Sequence, residues 1–250
     1  AKYVATTLTE VRMDCDVYDK PSVTLVEIMG RDAGWLTAAA SLACDLPGGG
    51  PDLIYLPEVA FDENHFVADI RRIQETQPVV LVALSEGIRD ANGCYVGAAC
   101  QSGAVDTFGH KYLAGAARYL ESVVKDKIGC KVRSAELNVM QRCAGHLLSK
   151  TDIEESAKLG ALAAETALNG AGGIISCIER VSDDPYAVTY TTKAVKDIAN
   201  KVRHVPREMI NDAGNGVTSA FKTYAAPLVE GEIWPEYKNG FPVYCKLYNR

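Results

Sequence analysis

No apolar stretch in the 250 residues approaches the roughly 20 that a membrane-spanning helix requires, and Ala1-Lys2-Tyr3 does not begin a signal peptide. Cys-x-x-Cys pairs are missing too: eight cysteines stand singly at 15, 44, 94, 100, 130, 143, 177 and 245, several within aliphatic or helical runs. That scatter argues against a zinc site or a disulfide framework and for reduced thiols packed as small apolar side chains. Basic charge is not in excess, since 26 Lys and Arg face 32 Asp and Glu for a net charge of -6. A surface of that sign does not displace counterions from nucleic acid. His65, His110, His146 and His204 lie too far apart to suggest a local metal site. No Gly-x-x-x-x-Gly-Lys phosphate loop, internal repeat or low-complexity tract occurs. These absences leave a cytoplasmic globular protein of one large or two small domains, with no membrane or nucleic-acid partner and a 48% hydrophobic fraction ample for a core.

What is present is organised around Val23-Thr24-Leu25-Val26-Glu27-Ile28-Met29-Gly30-Arg31-Asp32-Ala33-Gly34-Trp35-Leu36 and the alanine-rich run after it. The β-branched start predicts a buried parallel strand, and Leu36 onward predicts a helix. Gly30 and Gly34 bracket the turn, where glycine lets backbone approach a ligand closely, and Arg31 places a forked cation beside the opening. A strand, glycine turn and helix also occur in α/β domains that bind nothing there.

The remaining pattern predicts a helix from Tyr3 to Tyr18 with Val4, Leu8, Val11 and Val17 on its apolar side, and a strand from Asp52 to Leu56. A helix over Phe61 to Gln77 and a fully buried strand from Pro78 to Leu84 come next, the strand leading into Ser85-Glu86-Gly87. Ile88 to Ser102 reads as irregular, Val105 to Ile128 as helix, and Cys130 to Leu137 as a buried strand running into Asn138-Val139-Met140-Gln141-Arg142. A helix from Asp152 to Asn169, capped by Thr151 or Asp152, precedes a last strongly buried strand from Gly173 to Ile178. Tyr186 to Tyr190 alternates as an exposed strand, Val195 to Val202 and Asn215 to Tyr224 read as short helices, and Trp234 to Arg250 as a surface extension. Strand and helix alternation of this kind predicts a parallel-sheet α/β fold with ligands at the carboxyl ends of strands. Arg31, Arg133 and Arg142 sit at or near such ends, where guanidinium forks would grip an anion.

Met29-Gly30-Arg31-Asp32-Ala33-Gly34-Trp35-Leu36, then Leu84-Ser85-Glu86-Gly87, then Val139-Met140-Gln141-Arg142 closely resemble, in that order, the sugar-phosphate-binding segments of the 6-phosphofructokinase family. The resemblance spans nearly the whole chain. It implies a phosphofructokinase-like fold with a sugar-phosphate domain over 1–140, a partial return into the donor-binding domain over 141–200, and a segment over 201–250 returning to the first domain. It implies transfer of a phosphoryl group to the 1-hydroxyl of fructose 6-phosphate in glycolysis, with Mg2+ accompanying the donor and its ligands mostly upstream. In that reading Met29, Gly30 and Val139 line the sugar. Arg31 stabilises charge on the moving phosphoryl group, and Glu86 accepts from sugar hydroxyls. Arg142 holds the 6-phosphate, and Arg133 reaches it from a neighbouring subunit, which implies a homodimer or homotetramer.

Ser22 stands where many bacterial ATP-dependent members carry arginine, Cys143-Ala144 where Gly-Gly is usual, and Val139 where histidine is frequent. These departures, with Asp32-Ala33-Gly34-Trp35, favour the pyrophosphate-dependent branch, ATP remaining the alternative donor. The family's glycine-rich donor loop and its Thr-Ile-Asp-Asn-Asp segment, with the aspartate base, do not occur in these residues. The chain therefore reads as the carboxyl-terminal part of such an enzyme, inactive by itself. The rival reading is a non-catalytic regulatory subunit or sugar-phosphate sensor.

Overall fold

A computed structural model describes residues 1–97 and 115–245. Ser22–Ile28 forms β1, with all its residues buried. Leu53–Tyr55 forms β2, Val79–Ser85 forms β3, equally buried, and Lys131–Glu136 forms β4. The sheet order is β2-β3-β1-β4, all pairings parallel, with Ser22 opposite both Val79 and Lys131. The two strands that read as unbroken aliphatic runs hold the centre, as covering on both faces requires.

Among the described residues of this unit, α1 (Lys2–Cys15), α2 (Trp35–Ala38), α3 (Glu63–Gln74) and α4 (Ala116–Lys127) clothe the sheet. Val23 and Leu25 of β1 and Val80, Val82 and Leu84 of β3 join Phe66 and Ile70 of α3 and Leu120 and Val124 of α4 in one buried cluster. Each such side chain contributes about 1.5–3 kcal/mol. Thr24 points the other way along the pleat, to Cys15 of α1 at 3.2 Å. Asp62 starts α3 by accepting from the N–H groups of Asn64 and His65, which holds its carboxyl below the usual range.

The second unit contains β5 (Leu148–Ser149), α5 (Lys150–Leu168), β6 (Ile174–Asp183), β7 (Tyr186–Ala194) and β8 (Glu232–Ile233). β6 and β7 form an antiparallel hairpin, and β5 pairs antiparallel with β8. The two units comprise Ala1, Tyr3–Gln141 and Val202–Lys222 on one side, and Lys2, Arg142–Lys201 and Thr223 onward on the other. The expected return of all of 201–250 to the first domain therefore differs from this partition, in which only 202–222 join the first unit.

Several elements differ from expectation. α1 stops at Cys15, leaving Val17 73% exposed. β4 is an edge strand of half-exposed and exposed residues rather than buried scaffold. β6 holds no buried residue: it belongs to a two-stranded antiparallel hairpin with α5 on it, and its burial alternates over 178–183 as a one-sided ribbon's does. Helix continues only over Val195–Ile198 in place of 195–202, and over Ser219–Ala225 in place of 215–224. Of the expected helix at 105–128 and the irregular run at 88–102, the parts within 98–114 lie outside the described residues.

Candidate functional site

The carboxyl ends of β1, β3 and β4 lie side by side, with Ile28 opposite Ser85 and Glu27 opposite Glu136. The residues just after each strand are therefore gathered at one edge. The Glu86 N–H donates to the Ile28 carbonyl at 3.0 Å, and the Gly30 N–H donates to Glu86 Oε1 at 3.1 Å. Ser85 Oγ donates to the Gly30 carbonyl at 2.5 Å and accepts from the Gly87 N–H at 3.1 Å. A Cβ on Gly87 would fall on the Arg31 carbonyl, so the glycine of Ser-Glu-Gly is there because the Met-Gly-Arg turn crosses over it.

Gln141 clamps Met29, the residue before Gly30. Its Oε1 accepts from the Met29 N–H at 2.8 Å and its Nε2 donates to the Met29 carbonyl at 3.1 Å. Burial pushes the Glu86 carboxyl up from its ordinary value, while the Gly30 N–H and the Arg31 charge act to keep it ionised. Glu27, 4% exposed, accepts from the Ala117 N–H of α4 at 2.8 Å. Its burial, with the charges of Glu136 and Glu86 adding to it, raises its pKa to about 7.

The far side of the turn is anchored as well. Asp32 pairs with Arg89 at 2.7 Å, and that guanidinium lies over the Tyr95 ring at 4.2 Å. Glu58 Oε1 accepts from both the Gly34 and the Val205 N–H groups at 2.9 Å. Trp35 donates to the Arg203 carbonyl at 2.7 Å and packs against Phe221 with centroids 6.2 Å apart.

Of the residues expected in the site, the structure brings Met29, Gly30, Arg31 and Glu86 together. Val139 and Arg142 are exposed, on a 3-10 helix over Asn138–Arg142 whose last residue opens the second unit. Arg133 lies in the middle of β4, opposite Thr24, and not at a strand end. It pairs with Asp14 at 3.2 Å and lies over the Tyr18 ring at 5.2 Å. Glu58 and Arg89 carry no signal in the sequence: one comes after Pro57 in a loop and the other lies in an irregular run, so neither periodicity nor motif marks them. Gln141 is visible in sequence only as the middle of Met-Gln-Arg.

Residues 2–184 match the family model for phosphofructokinase. The chain belongs to the phosphofructokinase family. Among proteins similar to this phosphofructokinase chain, the pyrophosphate–fructose 6-phosphate 1-phosphotransferase of Xanthomonas campestris is 40% identical over 100% of this chain and 60% of its own length. That of Halomonas elongata is 37% identical over 99% and 59%. The crystal structure of the pyrophosphate-dependent phosphofructokinase from Nitrosospira multiformis superposes with a TM-score of 0.83 at 32% identity, covering 98% of this chain and 57% of that one. The chain thus spans about three fifths of the length of the curated relatives it matches. The parallel-sheet α/β architecture is that of the phosphofructokinase fold.

Proposed function

We propose that this chain supplies the fructose 6-phosphate side of a pyrophosphate-dependent phosphofructokinase, whose reaction moves a phosphoryl group from pyrophosphate to the sugar 1-hydroxyl. The observation that carries the reading is the bond from Gly30 to Glu86, which joins two segments far apart in sequence into one polar turn beside Arg31. Pyrophosphate is preferred to ATP as donor because the relatives matched over nearly the whole chain are named for it.

In this reading the ionised Glu86 accepts hydrogen bonds from sugar hydroxyls, which an acceptor-only carboxylate at a strand end is suited to do. Met29 and Gly30 line the sugar, with Val139 beyond them. Arg31 faces the charge that develops on the transferring group, a task of position and electrostatics rather than covalent chemistry. Arg142 grips the 6-phosphate, and Arg133 reaches a neighbouring copy's site in a homo-oligomer. Among the described residues no group of three or more His, Cys, Asp or Glu is placed to hold a metal ion. Among the described residues no helix is long and apolar enough to cross a membrane.

Titration calorimetry with fructose 6-phosphate tests the assignment. Binding by the chain is expected, with Arg142→Ala weakening it by about 1.5–3 kcal/mol, the worth of a charged hydrogen bond. Unchanged affinity in the variant overturns the role of Arg142, and no binding by the parent overturns the function.

A further inference from the structure

β1 receives hydrogen bonds from β4 along one side until the Leu137 N–H meets the Glu27 carbonyl at 2.9 Å. There the ladder ends, because the chain turns through Asn138, at φ 43°, into the 3-10 helix. The next residue of β1's line to face that side is Met29, two further on. Its N–H and carbonyl would have no main-chain partner. The carboxamide of Gln141 presents one acceptor and one donor, as a peptide group does, and adds the missing rung. A carboxylate of the same length lacks the donor, and asparagine is one methylene shorter. The next residue is treated in the same way, Gly30 donating to Glu86 and accepting from Ser85. The main-chain polar groups of Met29 and Gly30 are thus held by side chains from two other strand ends. A turn containing glycine, which would otherwise sample many conformations, is fixed from outside.

We propose that Gln141 is a positioning residue of this site: its carboxamide sets the main chain of Met29–Arg31 in the geometry that meets a sugar phosphate. The inference rests on the reading of that turn as a sugar-phosphate contact. Gln141 acts through Met29 and touches no substrate itself. It is also joined directly to Arg142, so the residue that fixes the turn is one peptide bond from the proposed phosphate grip.

The test is titration calorimetry of the 250-residue chain with fructose 6-phosphate, comparing the parent with Gln141→Ala and Gln141→Glu at about pH 4.5 and pH 8, so that a glutamic acid of ordinary pKa is partly protonated at the first and ionised at the second. Gln141→Ala is expected to raise Kd about tenfold, as loss of two ordinary hydrogen bonds would. Gln141→Glu is expected to bind weakly at the higher pH, where its carboxylate cannot donate to the Met29 carbonyl. At the lower pH the protonated carboxyl again offers an acceptor and a donor, and the ratio of its Kd to the parent's is expected to fall severalfold. Taking that ratio at each pH removes protonation of the ligand itself. A merely structural role would lower the thermal midpoint of the variant without this acid recovery. Parent-like Kd in Gln141→Ala, or a pH-independent ratio in Gln141→Glu, overturns the positioning role while the functional reading stands. Absence of binding by the parent overturns that reading and the inference with it. Should Gln141→Ala not fold, the Gln141→Glu ratio decides alone.

Discussion

Glu27 is the residue at which site and stability meet. It lies two residues before Met29, and its carboxylate accepts from the first turn of α4 and faces the charges of Glu136 and Glu86. Because its folded pKa of about 7 exceeds the ordinary 4.5, the folded chain binds the proton more tightly than the unfolded one. Its contribution is complete below pH 4.5 and declines as pH rises to 7, by about 3 kcal/mol at roughly 1.4 kcal/mol per unit. Urea unfolding between about pH 5 and pH 8 should show this decline in the parent and a flatter profile in Glu27→Gln; equal slopes would remove Glu27 as the cause. Residues of this kind divide into those the sequence reveals and those it hides. Met29, Gly30, Arg31 and Glu86 are legible because a strand end delivers its next few residues to one edge, so short contiguous motifs carry the geometry. Glu58 and Arg89 are hidden, because they reach the same turn from loops whose paths no local pattern encodes. The partnership of Gln141 with Met29 is equally invisible, since it depends on where the β4 ladder stops.

At the scale of elements, the central strands are legible because being covered on both faces demands an unbroken apolar run, which β1 and β3 show. Edges and caps are harder to read. β4 carries enough apolar residues to pass for scaffold, yet whether a strand is central depends on pairing far along the chain. Its Arg133 pairs with Asp14, both side chains being substantially exposed, an interaction worth less than about 1 kcal/mol. α5 is started by Ser149, not by Thr151 or Asp152: Ser149 Oγ accepts from the Asp152 N–H at 3.1 Å and donates to the Leu228 carbonyl at 2.7 Å. The nearby acidic residues place the expected cap two or three positions too late. Ser149→Ala is expected to lower the stability of the second unit by about 1–2 kcal/mol, and Thr151→Ala by much less. Thermal unfolding of both variants measures this, and equal losses would return the cap to the later position.

For the whole molecule, the proposed role of Arg133 ties activity to assembly. In a whole phosphofructokinase carrying this chain, Arg133→Ala and Arg142→Ala subunits are each expected to be nearly inactive alone. Coexpression should restore activity through hybrid sites in which both residues are intact. Confirmed hybrids without recovery would place Arg133 in its own chain's service or in none. The strand order also bears on how the chain is made. Among the described strands of its sheet β1 comes first in sequence, but its neighbours there begin at Val79 and Lys131. At a synthesis rate of about 5–20 residues per second, this buried strand waits several seconds for its first neighbour and longer for its second. During that interval β1 lacks both of the strands that flank it in the sheet. The centre of the finished sheet is therefore the segment of the nascent chain that depends most on shielding by a chaperone.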